Sequence, residues 1–444
     1  MANSYLSRTF SGTPTMTTFT VSFWIKRATI GATQRIISAR VDGNNESTFY
    51  FSSSDQLNIS STVGGATKCD IKANRLFKDT SAWYHIVVQK NTTLATANDR
   101  VKIWVNGVEE TEVTRSTTQV QNEEDFFLKS TATHEIGRRP SNNDQNFSGY
   151  FTHFCVVQGS VVAPTSFGET DSTSGIWKFK SPAGISFGTN GFHLKFENAG
   201  ALGTDSSGNS QTWTVNGNLK QALDTPSNLS CAWSSAQKDA GALLSTGATQ
   251  MTRGSGDGHC TVIGTLGVSS GKWYYECKLD TAGSAANANS IGIVRVDSDA
   301  MKTSGHNAGD DSSSDYFYCG GAEYQGVGGS GSYGNSYTSG DIIGIAFDLD
   351  NNKLYFHKNG TYQNSGVPTS GSTGTGAKAI TAGDFFVPAC GGYDGTIWKA
   401  NFGNGYFGTT AISSAGSNGN GSLFEYDVPS GYYALNTKNI NTYG

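Results

Sequence analysis

Glu425-Tyr426-Asp427 sets two carboxylates on alternate residues. Some glycoside hydrolases use that spacing to bring an acid and a nucleophile or base to one cleft. The fuller pattern Glu-x-Asp-x-x-Glu needs a third carboxylate at position 430, where Ser430 stands after Pro429. Glu109, Glu110 and Glu112 follow an Asn-Gly and fit a solvated strand. His85 and His193 lie within apolar runs, where an internal hydrogen-bonding role is the simpler expectation, and no Ser-His-Asp or Cys-His arrangement can be assembled. The seven cysteines, Cys69, Cys155, Cys231, Cys260, Cys277, Cys319 and Cys390, are widely spaced with no Cys-x-x-Cys. They read as buried free thiols rather than zinc ligands or a disulfide framework, from a chain made in a reducing compartment. No catalytic residue is assigned, and a non-enzymatic protein is expected.

Chemistry of recognition is better represented. The stretch from Ser304 to Gly340 holds Asp310, Asp311, Asp315, Tyr316, Tyr318, Tyr324, Tyr333, Asn335 and Tyr337 among Gly and Ser. Tyrosine offers a large amphipathic surface at low entropy cost, and Ser, Gly and Asn adapt their hydrogen bonds, as in antibody binding loops. A ligand-binding loop is expected there, set against a solvated loop or a packing surface. Oxygen-rich clusters at Asp42 to Glu46, Asn122 to Asp125, Asn142 to Asp144, and Asp205 with Asn209 suit either a hard cation or turns closed by their own side chains.

Composition narrows the class. The 444 residues carry 56 Gly, 8 Pro, 24 Phe, 19 Tyr and 8 Trp, with a net charge of −5. Many tight turns and large aromatic cores follow, and a nucleic-acid binder is disfavoured because no basic stripe occurs. No run approaches the roughly 18 apolar residues that span a bilayer. The first residues lack a basic segment followed by an apolar one, so no secretion signal is expected.

The positioning elements are strands. Phe19-Thr20-Val21-Ser22-Phe23-Trp24-Ile25-Lys26 alternates strictly, with Phe19, Val21, Phe23 and Ile25 on one face. Arg35–Ala39, Ser47–Phe51, His134–Gly137 and Gly149–Val157 read as further short strands. Residues 158–190 read as irregular with one turn near Pro164, and Trp24, Trp83, Trp104, Trp273 and Trp398 as core. A hairpin pattern occurs twice: Trp83–Asn91 then Arg100–Gly107, and Asp341–Asp348 then Lys353–Gly360. Each ends in Asn-Gly, the strongest short signal for a tight hairpin turn. No helix longer than two turns is expected, and Gly431–Asn436 reads as a closing strand. The polar stretch at 218–230 divides the chain into domains at 1–220 and 221–444.

Gly271-Lys272-Trp273-Tyr274-Tyr275-Glu276, Ile291-Gly292-Ile293, Gly340–Asp348, Leu354–Gly360, Phe386-Val387-Pro388-Ala389 and Asn401-Phe402-Gly403 together resemble a SPRY domain. Phe19–Lys26, Trp83–Val88 and Ile103–Gly107 resemble a laminin G-like, concanavalin A-like jelly roll over residues 1–217. The resemblance implies an all-β chain of two tandem concanavalin A-like jelly-roll sandwiches. Here the Leu194–Phe196 strand and the Asp205 to Asn209 turn come at the end of the first domain, which implies a permuted sandwich closed by its last strands. Calcium is the one cofactor it implies, with Asp205 and Asn209 as ligands. The tandem, with the ending Tyr426–Thr437, also resembles virion structural proteins of tailed bacteriophages. That implies a tail fibre or appendage component assembled in the host cytoplasm and oligomeric in the virion, without nucleic-acid binding or membrane insertion. Its partners would be other virion proteins and host cell-surface polysaccharide. The alternatives are a capsid decoration or head-fibre protein and a glycan-degrading enzyme.

Overall fold

The computed structural model describes residues 4–140, 144–254, 258–298 and 311–444. The chain divides into two compact units, Met1–Gln221 and Ala222–Gly444. Both are antiparallel β-sandwiches, as an all-β chain of alternating strands requires.

In the first unit an eight-stranded sheet runs in the order Val113–Thr117, Ala66–Leu76, Gln56–Val63, Asn45–Phe51, Gln34–Asp42, Thr133–Ile136, Tyr5–Arg8, Thr214–Asn216. The opposing sheet has six strands in the order Phe192–Leu194, Gly149–Gln158, Thr18–Arg27, Tyr84–Asn91, Val101–Val105, Val108–Glu109. Phe19, Val21, Phe23 and Ile25 point between the sheets, where they meet Ile37, Phe49, Ile59 and Ile71 of the larger sheet. The last strand of the unit pairs with the first, Leu6 opposite Val215, so the sandwich is closed by its two ends.

The outward face of the six-stranded sheet is covered. Val87, Cys155, Val157, Phe167 and Phe187 form a second apolar layer with Trp104, Val162 and Ile185. The cover is the segment after Gln158, which is more ordered than its composition indicates. It forms a one-turn 3-10 helix, Pro164–Ser166, and a ribbon of Gly168–Thr170 with Trp177–Phe179. Trp24 and Trp104 also face this outer layer. Trp24 stacks on His85, and the Trp104 indole N–H donates to Gln89 Oε1 at 2.9 Å. Trp83 is half-buried just ahead of its strand. Strand alternation puts Trp24 and Trp104 opposite the residues between the sheets; Trp24 is buried, as expected of a core residue, while Trp83 and Trp104 are only half-buried.

In the second unit a seven-stranded sheet, from Trp233–Lys238 through His259–Gly264, Phe386–Tyr393, Ser290–Arg295, Asp315–Cys319 and Glu323–Gly326 to Gly331–Ser332, faces a larger sheet centred on Lys272–Thr281. The expected closing strand exists. Tyr433–Ala434 pairs in parallel with Trp273 and Tyr274, just where the neighbouring strand Ile397–Asn401 has ended. A seven-residue helix, Thr437–Tyr443, follows, capped by the Asn436 side chain.

The repeated hairpin has one geometry in both units. Asn106 and Gly107 have φ of 49° and 79°, and Asn359 and Gly360 have 48° and 82°. Positive φ at both central residues matches the right-handed twist of the flanking strands. Each Asn side chain also accepts the backbone N–H that opens the partner strand, from His85 and from Ile342, both at 2.8 Å.

Candidate functional site

The tyrosines of the expected binding loop are core residues. Tyr316 and Tyr324 are 0% exposed, Tyr333 and Tyr337 4%, and all four belong to the apolar cluster between the sheets of the second unit. The Tyr316 hydroxyl bonds Thr381 Oγ1 at 2.8 Å, that of Tyr324 donates to Val327 O at 2.9 Å, and that of Tyr337 reaches Asn289 O and Tyr318 O. Asp315-Tyr316-Phe317-Tyr318-Cys319 is a strand. Its alternation sends Tyr316 and Tyr318 inward, and a period of two within the run was the signal that composition obscured. Asp315 is buried and accepts from Ser298 Oγ at 2.6 Å, while Asp311 closes its own turn onto Ser313. Asn335 is exposed, with its backbone N–H bonded to Gln363. Asp310, like the rest of 304–310, lies outside the described residues.

The Asp205 turn is likewise turned inward. Asp205 Oδ1 accepts the backbone N–H groups of His193 and Ser207, each at 2.9 Å. Its Oδ2 accepts the Ser207 hydroxyl and the Gln211 N–H, each at 2.8 Å. Asn209 donates its amide to Gly188 O and Gly191 O. Four donors occupy the Asp205 carboxylate oxygens, which is the geometry of an Asx-type closure. Among the described residues no group of three or more His, Cys, Asp or Glu is placed to hold a metal. Asn142 and Asn143 fall outside the described residues; Asp42 closes its own turn onto Asn44 and Asn45.

The paired carboxylates hold turns instead of facing a cleft. Glu425 accepts the Ser413 N–H at 2.7 Å and Asp427 the Ser417 N–H at 2.7 Å. A buried relay lies behind them. Gly360 N–H donates to His357 Nδ1 at 3.1 Å, which puts the ring proton on Nε2, 2.7 Å from the Tyr274 hydroxyl. Tyr274 in turn donates to Glu276 Oε1 at 2.8 Å. Glu276 also accepts from the backbone of Glu425 and Tyr426, each at 2.9 Å, so it ties the late segment to the central sheet. Burial pushes the Glu276 carboxyl up to about 7 and holds His357 down to about 3. All three side chains are sealed from solvent, so the relay organises structure and cannot meet a substrate.

The histidines of the first unit are structural. His85 Nδ1 accepts the Trp177 indole N–H at 2.9 Å, and Nε2 lies 2.9 Å from Ser22 Oγ. Trp177 fits there because Gly107 and Gly168 carry no Cβ; an added one would lie 2.5 Å from the indole at either position. His153, at φ 48° in a bulge of its strand, stacks on Phe179 at 3.6 Å and lies 3.3 Å from His193. Burial, the largest cause in each, lowers His85 and His153 to about 3 and His134 and His193 to about 4.

The outward face of the eight-stranded sheet is different in kind. Register places Arg35, Tyr50, Asn58 and Lys72 in one cross-strand row and Glu135, Ser38, Thr48, Ser60 and Asp70 in the next. Arg40 and Glu46 begin a third. Every member is polar or tyrosine. Yet Arg35 and Glu46 are 8% exposed, Thr48 and Asn58 5%, Glu135 4% and Ser38 0%. These largely buried side chains set hydroxyl, amide and guanidinium groups around one half-buried aromatic ring, Tyr50. Sequence reading missed it because each strand looked like ordinary apolar–polar alternation. Only the register joins Arg35, Tyr50 and Asn58.

These two sandwiches define the class, a tandem of β-sandwich domains. Residues 2–164 match the family model described as the concanavalin A-like lectin/glucanases superfamily. Residues 272–405 match the SPRY domain model, so the two families occur in the order that the strand motifs imply. Domains of these two kinds are typically non-catalytic binding domains. Among solved structures, the crystal structure of the SPRY domain of human HERC1 is 19% identical, covering 38% of this chain and 96% of that one at a TM-score of 0.29. No curated protein matches the chain.

Proposed function

We propose that this chain is a non-enzymatic structural protein of a tailed-bacteriophage virion, a tail-fibre or appendage component whose first unit binds host-surface polysaccharide. The observation that carries the binding part is the recessed polar face of the eight-stranded sheet, with Tyr50 among Arg35, Thr48, Asn58 and Ser60. Hydroxyl and amide groups there exchange hydrogen bonds with sugar hydroxyls, and the tyrosine ring offers an apolar contact. Affinity per site would be modest and multiplied by copy number in the particle. The virion setting rests on the company the two domains keep and on the late segment at 426–437. Its partners would be other virion proteins, with no nucleic acid and no membrane insertion.

Two experiments test this. Cryo-electron microscopy of the intact particle locates the chain: density at the tail supports the appendage role, and density on the capsid shell replaces it with a decoration role. A glycan array probed with the full chain tests adhesion, and a blank array removes the polysaccharide role.

A further inference from the structure

Buried Arg100 donates to three backbone carbonyls, while three other buried cations have anionic partners: Arg27 pairs with Asp55 at 2.9 Å, Lys90 with Asp125 at 2.6 Å, and Arg253 with Asp239 at 3.1 Å. Arg35, on the recessed face, does not. Its Nε donates to Gln145 Oε1 at 2.6 Å and its Nη1 to Thr48 Oγ1 at 2.9 Å, both neutral acceptors. Its guanidinium lies over the Tyr50 ring at 4.5 Å. Among the described residues no carboxylate stands within ion-pair distance of it. The nearest acid in the cluster, Glu46, is engaged by Arg139, which holds Oε1 at 3.1 Å through Nε and Oε2 at 2.6 Å through Nη2. Arg40 adds a further contact to Glu46 Oε2 at 3.4 Å. Three guanidiniums therefore surround one carboxylate.

Glu46 and Asp144 act on Arg35 from beyond ion-pair distance and offset its burial only in part, and a desolvated cation costs several kcal/mol unless something supplies the rest of the charge. Three of the five N–H groups of Arg35 have no protein acceptor. The charge of the whole unit agrees: residues 1–221 hold 20 Lys and Arg against 18 Asp and Glu, whereas residues 222–444 hold 11 against 18. An anionic ligand is drawn to the first unit and repelled by the second.

We propose that the recessed face selects an acidic glycan, with Arg35 as the seat for a sugar carboxylate and Arg40 and Arg139 reinforcing the field. This rests on the polysaccharide-binding role proposed above and names its ligand class. Guanidinium–carboxylate pairing is charge-assisted and about twice as strong as a neutral hydrogen bond. Tyr50, Thr48, Asn58 and Ser60 then take the hydroxyls of the same or the next sugar.

The test is calorimetric titration of the full chain with three probes: oligogalacturonate, its methyl ester, and a neutral dextran oligosaccharide of similar length. Binding of the free acid at least 10-fold tighter than the ester, weakened as salt is raised, is the expected result. Arg35→Gln should lose that preference and Arg35→Lys should keep part of it. The acid–ester ratio needs no mutant, so a variant that fails to fold leaves the test intact. Equal affinity for acid and ester, or binding of the neutral oligosaccharide alone, overturns the acidic specificity and leaves polysaccharide binding standing. No binding to any of the three, together with a blank glycan array, overturns both.

Discussion

Acidification should unfold the first unit and spare the second. His85, His134, His153 and His193 are held neutral in the folded first unit, at about 3, 4, 3 and 4. In the unfolded chain each titrates near 6.5, so below that pH the unfolded state binds more protons and stability falls. Between pH 8 and pH 5 each independent histidine removes about 2 kcal/mol. His153 and His193 share a hydrogen bond and are counted as one site, so the loss is about 6 kcal/mol, a large part of a typical total of about 5–15 kcal/mol. Three of the four, His85, His153 and His193, also lie under the covering segment, against Trp177, Phe179 and Phe187. A proton on His85 Nδ1 turns the acceptor for the Trp177 indole N–H into a donor, so that segment should loosen first. The charged groups facing these rings are Lys195, which opposes protonation of His153 and His193, and Asp205 and Glu197, which favour it at His193.

The second unit has opposing groups. His357, at about 3, loses a similar amount on acidification. Glu276 does the reverse: its folded value of about 7 lies above the unfolded 4.5, so its contribution is full below pH 4.5 and lost as pH rises through 7. Between pH 8 and 5 it returns about 2.5 kcal/mol, offsetting His357. Hydrogen exchange with unit-resolved peptides, and calorimetry at both pH values, should show the first transition falling by roughly 12–24 °C while the second moves little. Equal shifts of the two units, or histidine resonances of the first unit titrating near 6.5, would refute this.

Three more perturbations follow from the geometry. Glu276→Gln should leave His357 unopposed, so that the second unit, nearly level with pH in the unsubstituted chain, gains stability between pH 4.5 and 7, seen as a denaturant midpoint that rises across that window. Gly344→Ala should destabilise the second unit by about 2–3 kcal/mol in equilibrium unfolding, because the new Cβ would meet His357 Nε2 at 1.8 Å and break the relay. Chelation with EDTA should leave both melting transitions unchanged, while Asp205→Ala should lower the first by removing acceptors for His193, Ser207 and Gln211; a chelator-sensitive first transition would restore calcium to that turn.

Much of the scaffold could be read from residues alone. Phe19, Val21, Phe23 and Ile25 announce their face by a period of two, and Asn-Gly at 106 and 359 announces both hairpins because few other pairs hold two positive φ values. The sites were less legible for physical reasons. Tyr316 and Tyr324 resemble binding-loop residues in composition, but their hydroxyls find backbone and Thr381 acceptors that exist only once the sheets are stacked. Asp205 resembles a cation ligand until the N–H groups of His193 and Gln211, twelve residues before it and six after, converge on it in the folded turn. The recessed face depends on strand pairing between Gln34–Asp42, Asn45–Phe51 and Gln56–Val63, and on Arg139 and Gln145 folding back over it.

The binding role of that face is tested most directly by equilibrium binding of the full chain to host-surface polysaccharide, with reducing ends assayed in the same samples. Saturable binding that Tyr50→Ala and Asn58→Ala each weaken at least 10-fold at a temperature where both variants remain folded, and with no release of reducing ends, is the expected outcome. Binding unaffected by either substitution, or polysaccharide cleavage that tracks the protein through purification, would contradict it.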